Sequence, residues 1–191
     1  NRPAFIVNNC HITVEAFLRF LKRERNAENL TCALELKAIK NYINNEKKKQ
    51  EEESSNDDTD TDTSTSSQPG DASFARKVLK ELKVLLKQST PEEKAFLLNE
   101  RMAILLYMRC ETFYKNFIAL DAPNEVNLDS KTRQNAVQQF NEATSTYTEY
   151  QQKRKISSIE YRNSMLQVML QFLHEFMSKL ELKLLDNLAN P

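Results

Sequence analysis

Apolar residues recur along this chain at steps of three and four, the spacing of helices that bury one face. In VEAFLRFL, Val14, Phe17, Leu18 and Leu21 form one such stripe, and AENLTCALELKAIKNYI from Ala27 to Ile43 forms a second, with Asn26 placed to cap it. FARKVLKELKVLLK puts Val78, Leu82 and Leu85 on one face and Arg76, Lys80, Lys83 and Lys87 on the other. STPEEKAF reads as a helix start, with Thr90 as N-cap, Pro91 in the first helical position and Glu93 completing a capping box. That helix should reach about Ile118, roughly thirty residues on, and its length predicts a break on the way. Asp129 is expected to cap a helix opening near Ser130, and a further helix is expected after Thr144. From about Ser157 to Leu188, Leu166, Leu170, Leu173, Met177, Leu180 and Leu184 alternate at steps of four and three. Met169, Phe172 and Phe176 widen this stripe beyond a two-helix seam, so it should pack into a core rather than a coiled coil.

Composition sharpens the fold class. The single glycine, Gly70, and the five prolines, all outside the strongest apolar runs, are too few for strands joined by tight turns, so the expected class is all-α. With 191 residues and 40% hydrophobic content, residues 1–191 suffice for one domain with a true core. The formal net charge is zero, but residues 46–73, EKKKQEEESSNDDTDTDTSTSSQPGDAS, hold nine of the 27 acidic and three of the 27 basic residues. The remainder carries 24 basic against 18 acidic residues, a net of +6. Lacking a large apolar residue to offset the entropy of ordering, 46–73 reads as a disordered acidic insertion within the domain, followed by an added basic amphipathic helix at 74–88. The basic face of that helix reads as a solvated surface first and as a peripheral membrane contact second.

Chemistry of the chain's own has little support. His11 and His174 have no partners at metal-ligand spacing, so no metal site is expected, and Cys10, Cys32 and Cys110 read as reduced core thiols of a cytoplasmic protein. One glycine cannot build a phosphate-cradling loop, so no nucleotide cofactor is expected either. No aromatic-interleaved basic patch points to nucleic acid. These absences predict a monomeric helical interaction module rather than an enzyme.

One stretch is far more particular. VEAFLRFLKRERNAENL resembles the opening of the RGS domain, the regulator of G-protein signalling, and FYKNFIALDAPNEVNLDSKTR, Phe113 to Arg133, resembles that family's long helix end and the loop after it. LLDNLANP is similar to the family's close. The resemblance implies about nine helices, a four-helix bundle with a terminal-helix subdomain. It also implies a GTPase activator for heterotrimeric G-protein α subunits, which grips the switch segments of the α subunit in their transition-state shape and so terminates signalling at the inner face of the plasma membrane. An RGS-like scaffold without that activity is the alternative.

By the same resemblance, Glu28 and Asn29 would touch the switches, and Asn127, with Glu125 beside it, would orient the catalytic glutamine of the α subunit. Asp129, Ser130 and Arg133 would stabilise the loop. The chain departs from the family at Cys32 and Ala33, where two aromatics are usual, which removes core volume. It departs again near the C-terminus, where the family's Asp and Arg complete a pocket for a switch threonine. One alignment brings Arg162 near that place and the other puts Glu175 where the arginine is expected, and neither restores the pair.

Overall fold

The computed structural model of the chain describes residues 27–53 and 71–189. The stripe from Val14 to Leu21, the Asn26 cap, Cys10 and the middle of the acidic stretch lie outside those residues. Among the described residues the chain is all-helical, with α1 Ala27–Glu53, α2 Asp71–Gln88, α3 Pro91–Phe117, α4 Ser130–Lys153 and α5 Ile159–Ala189. These five are fewer than the nine helices that the resemblance implies.

Several boundaries differ from expectation. The first helix continues through Glu53, into the stretch expected as a disordered insertion from Glu46, because Lys, Gln and Glu are good helix formers. Likewise 71–73 belong to α2. α3 is unbroken: its capping box fixes the start, no proline or glycine follows Pro91 within it, and neighbours cover it on several sides. α4 also runs without the interruption expected before the second half. The hydroxyls of Thr144, Thr146 and Thr148 donate to the carbonyls of Phe140, Glu142 and Thr144, at 2.9, 2.9 and 2.8 Å. Polar side chains that satisfy themselves one turn back need not end a helix.

α3 touches each of the other described helices. α2 packs on it, α1 packs on both it and α5, and α4 and α5 fold back on each other across the turn after Lys153. α3 meets α4 through rings: Tyr107 stacks on Tyr147 with centroids 4.0 Å apart, and Tyr114 on Phe140 at 4.3 Å. Phe176 of α5 meets Phe113 edge-on at 6.0 Å and Phe140 at 5.6 Å, so three helices share one aromatic cluster. Leu166, Met169, Leu173, Met177, Leu180 and Leu184 are all buried, as the widened stripe predicts. Cys32 and Cys110 are buried free thiols, and burial pushes both up, Cys110 to about 12. Cys32 lies in the core and the half-buried Ala33 packs against it. Leu85 departs from its expected place on the buried face of α2. The true buried set is Ala75, Val78 and Leu82, flanked by Leu79 and Leu86, and this rotation leaves Leu85 at 42% exposed.

Candidate functional site

The loop between α3 and α4 is built without glycine. Where α3 ends, the N–H groups of Ile118 and Ala119 both donate to Tyr114 O at 2.9 Å. Asp121 then takes the left-handed conformation, φ 59°, which an aspartate tolerates far better than a branched residue. Two turns follow, with Ala122 N–H donating to Ala119 O at 3.2 Å and Glu125 N–H to Ala122 O at 3.1 Å. The loop is tied back to α3 by Asn124 N–H to Asn116 O at 3.0 Å and Val126 N–H to Phe117 O at 3.1 Å.

From Glu125 to Asp129 burial alternates. Val126 and Leu128 are buried, and Glu125, Asn127 and Asp129 face outward. Arg133, one turn into α4, holds this segment with its guanidinium: Nη1 donates to Ile118 O and Nη2 to Val126 O, both at 2.8 Å, and Nη2 also pairs with Glu125 Oε1 at 2.8 Å. Asp129 caps α4, accepting from Thr132 N–H at 2.9 Å and Thr132 Oγ1 at 2.8 Å. The Thr132 backbone bond, then its hydroxyl and Lys183, hold the Asp129 carboxyl below its ordinary value. α5 supports the loop from the side, with Lys183 Nζ 3.4 Å from Asp129 and Asn187 Nδ2 donating to Asn127 O at 3.0 Å. The Asn127 main chain is thereby fixed while its side chain stands in solvent.

The other expected residues divide. Ser130 is the exposed first residue of α4, and the hydroxyl that engages Asp129 is that of Thr132 instead. Glu28 is exposed in the first turn of α1, but Asn29 is only 2% exposed, so its side chain belongs to the interior. Arg162 lies near the opposite end of α5, about 37 Å from Asn187 along a straight helix at about 1.5 Å per residue. It cannot complete a pocket at the loop. Glu175 lies about 12 Å before Lys183 on the same measure. It bonds within its own helix, to Gln171 at 3.2 Å and facing Lys179 at 3.7 Å. Neither residue joins the loop. Thr132, Lys183 and Asn187 were missed, although Lys183 and Asn187 are spaced one turn apart beside the apolar stripe, as loop-facing residues would be.

Arg162 belongs to a different cluster. Glu100 of α3 is fully buried, and its Oε1 accepts from Tyr150 OH, from Arg154 Nε at 2.9 Å and from Arg162 Nη1 at 3.4 Å. Arg154 also binds Glu81 of α2 at 2.7 Å, and the Arg162 guanidinium lies 4.9 Å from the ring centre of Phe96. Two carboxylates and two guanidiniums balance in charge. Burial, then the nearby Glu100 charge, pushes the Tyr150 phenol well up. Burial works most strongly against the charged form of Arg154, but Glu100, Tyr150 and Glu81 together outweigh it and keep that guanidinium protonated. Such a set binds elements together and offers no poised acid or base.

Among the described residues no group of three or more His, Cys, Asp or Glu is arranged to hold a metal, and no helix is long and apolar enough to cross a membrane. No family model matches the chain, and no curated protein or solved structure matches it.

Proposed function

We propose that this chain is an RGS domain that accelerates GTP hydrolysis by a heterotrimeric G-protein α subunit on the cytoplasmic face of the plasma membrane. The observation that carries the reading is the Asn127 arrangement. Its backbone is held by Asn187, the buried Val126 and Leu128 anchor it on both sides, and its amide projects outward. A side-chain amide both donates and accepts, so it orients a catalytic glutamine and water without adding charge. A loop already fixed in the free protein loses little entropy on binding, which favours selective grip on the transition-state shape of the switches. Glu125 and Glu28 supply exposed polar contacts. The chain performs no chemistry itself.

Single-turnover GTP hydrolysis on purified α subunits tests this. Acceleration is expected, and Asn127→Ala should reduce it by about 30-fold, the loss of roughly 2 kcal/mol typical of a central interface residue. No acceleration of any α subunit tested would sink the proposal. A second reading, an RGS-like scaffold that binds without accelerating, is favoured by one observation: Arg162 is committed to Glu100, far from the loop. Preference for the α subunit carrying GDP and aluminium fluoride over GDP alone supports the activator, and equal binding supports the scaffold.

A further inference from the structure

Between α3 and α4 the chain carries four large aliphatic residues, and it treats one of them differently. Ile118, Val126 and Leu128 are buried, whereas Leu120 is 84% exposed. The backbone around Leu120 is bonded on both sides. Ala119 N–H donates to Tyr114 O at 2.9 Å, Ala122 N–H donates back to Ala119 O at 3.2 Å, and Asp121 between them holds its left-handed φ of 59°. Leu120 is thus carried into solvent on a turn that is already closed in the free chain.

Exposure alone marks nothing, since single aliphatic side chains are ordinary on protein surfaces and Ile156, in the α4–α5 turn, is also 84% exposed. Leu120 is set apart by its place. The Arg133 guanidinium bonds Ile118 O and Val126 O, both at 2.8 Å. Leu120 is two residues beyond the first carbonyl and Asn127 comes directly after the second, so their main chains lie within about 20 Å of each other. A standard interface covers about 800 Å² on each partner, a patch roughly 30 Å across. A partner seated on the Asn127 amide therefore extends to Leu120. Ile156 has no such neighbour: it precedes the first turn of α5, about 42 Å along that helix from Asn187.

We infer that Leu120 is an apolar contact of the α subunit that sets the affinity of the complex, while Asn127 acts on the rate. The inference rests on the G-protein reading above and adds to it a division of labour within the loop. A leucine buried on binding acts through the apolar area it removes from water, which is the same before and during hydrolysis. Such uniform binding moves the concentration at which acceleration saturates and leaves its maximum alone. An amide aimed at the reacting groups moves the maximum. The closed turn under Leu120 also keeps the ordering cost of the contact small.

Single-turnover GTP hydrolysis by an α subunit, followed over a range of concentrations of the whole chain, tests it. Leu120→Gln keeps the length of the side chain and removes apolar surface, and it should raise the half-saturating concentration by about fivefold or more. Leu120→Asp should raise it by about tenfold or more, and both variants should reach the wild-type maximum. Leu120→Met should behave like the wild type, and so should Ile156→Gln, matched in exposure at the far end of α5. Asn127→Ala should lower the maximum itself. Half-saturation unmoved in both polar Leu120 variants, a lowered maximum in place of weaker binding, or an equal shift in Ile156→Gln would each overturn the inference while acceleration by the wild type left the G-protein reading standing. No acceleration by the wild type would overturn that reading and this inference with it.

Discussion

Arg133 and Asp129 show how much one residue can organise when its partners are main-chain atoms. Arg133 closes the distance between Ile118 and Val126, and Asp129 ends the loop by capping α4. The cap was legible in the sequence, because it acts on neighbours only three positions away, whereas Arg133 reaches Ile118 fifteen positions back and its loop-stabilising role came from the resemblance. The partners on α5 were not legible, since no local rule brings residue 187 to residue 127. The cap carries a pH signature. A carboxyl held below its ordinary 3.8 contributes its full stabilisation above that value and loses it as the pH falls through the lowered one. Asp129→Ala should therefore melt below the wild type at neutral pH, and the gap should close on acidification. Thermal melts at stepped pH measure this, and a gap that persists into strong acid would contradict it.

At the scale of the element, α3 depends on its start. Thr90 N–H donates to Glu93 Oε2 at 3.0 Å, and Glu93 N–H returns the bond to Thr90 Oγ1 at 3.4 Å, the reciprocal pair expected of this motif. Thr90→Ala should destabilise the chain by about 1 kcal/mol, read from urea unfolding, whereas Thr90→Ser should be nearly silent. Length was the misleading signal here. It predicted a break in α3, but a helix surrounded by neighbours gains burial with every added turn and has no reason to stop before its apolar residues do. Periodicity misplaced Leu85 for a related reason: several three-residue sets fit one helix, and only the neighbour that packs on it decides which is buried.

Across the whole molecule, the Glu100 cluster joins four elements. Glu81 comes from α2, Glu100 from α3, Arg154 from the end of α4 and Arg162 from α5. Removing Arg154 strands the fully buried Glu100 carboxylate, so Arg154→Leu should cost about 3–5 kcal/mol. Replacing Glu100 as well, in Glu100→Leu with Arg154→Leu, should recover part of that loss. Denaturation of the two single variants and the double variant gives the coupling, and additive effects would show that the cluster does not act as a unit. Hydrogen exchange in α2 should rise in Arg154→Leu, because Glu81 loses its tie.

The sequence by itself determined the helical class, the caps at Thr90 and Asp129, the apolar stripe of α5 and the position of the Asn127 loop. Each follows from contacts within a few residues or from a repeat of three and four. Tertiary structure alone decided that Asn29 is interior, that Arg162 and Glu175 stay away from the loop, and that Glu81 pairs with Arg154. These outcomes depend on which helices become neighbours, and a charged side chain's partner is chosen by proximity in space, which spacing along the chain does not fix.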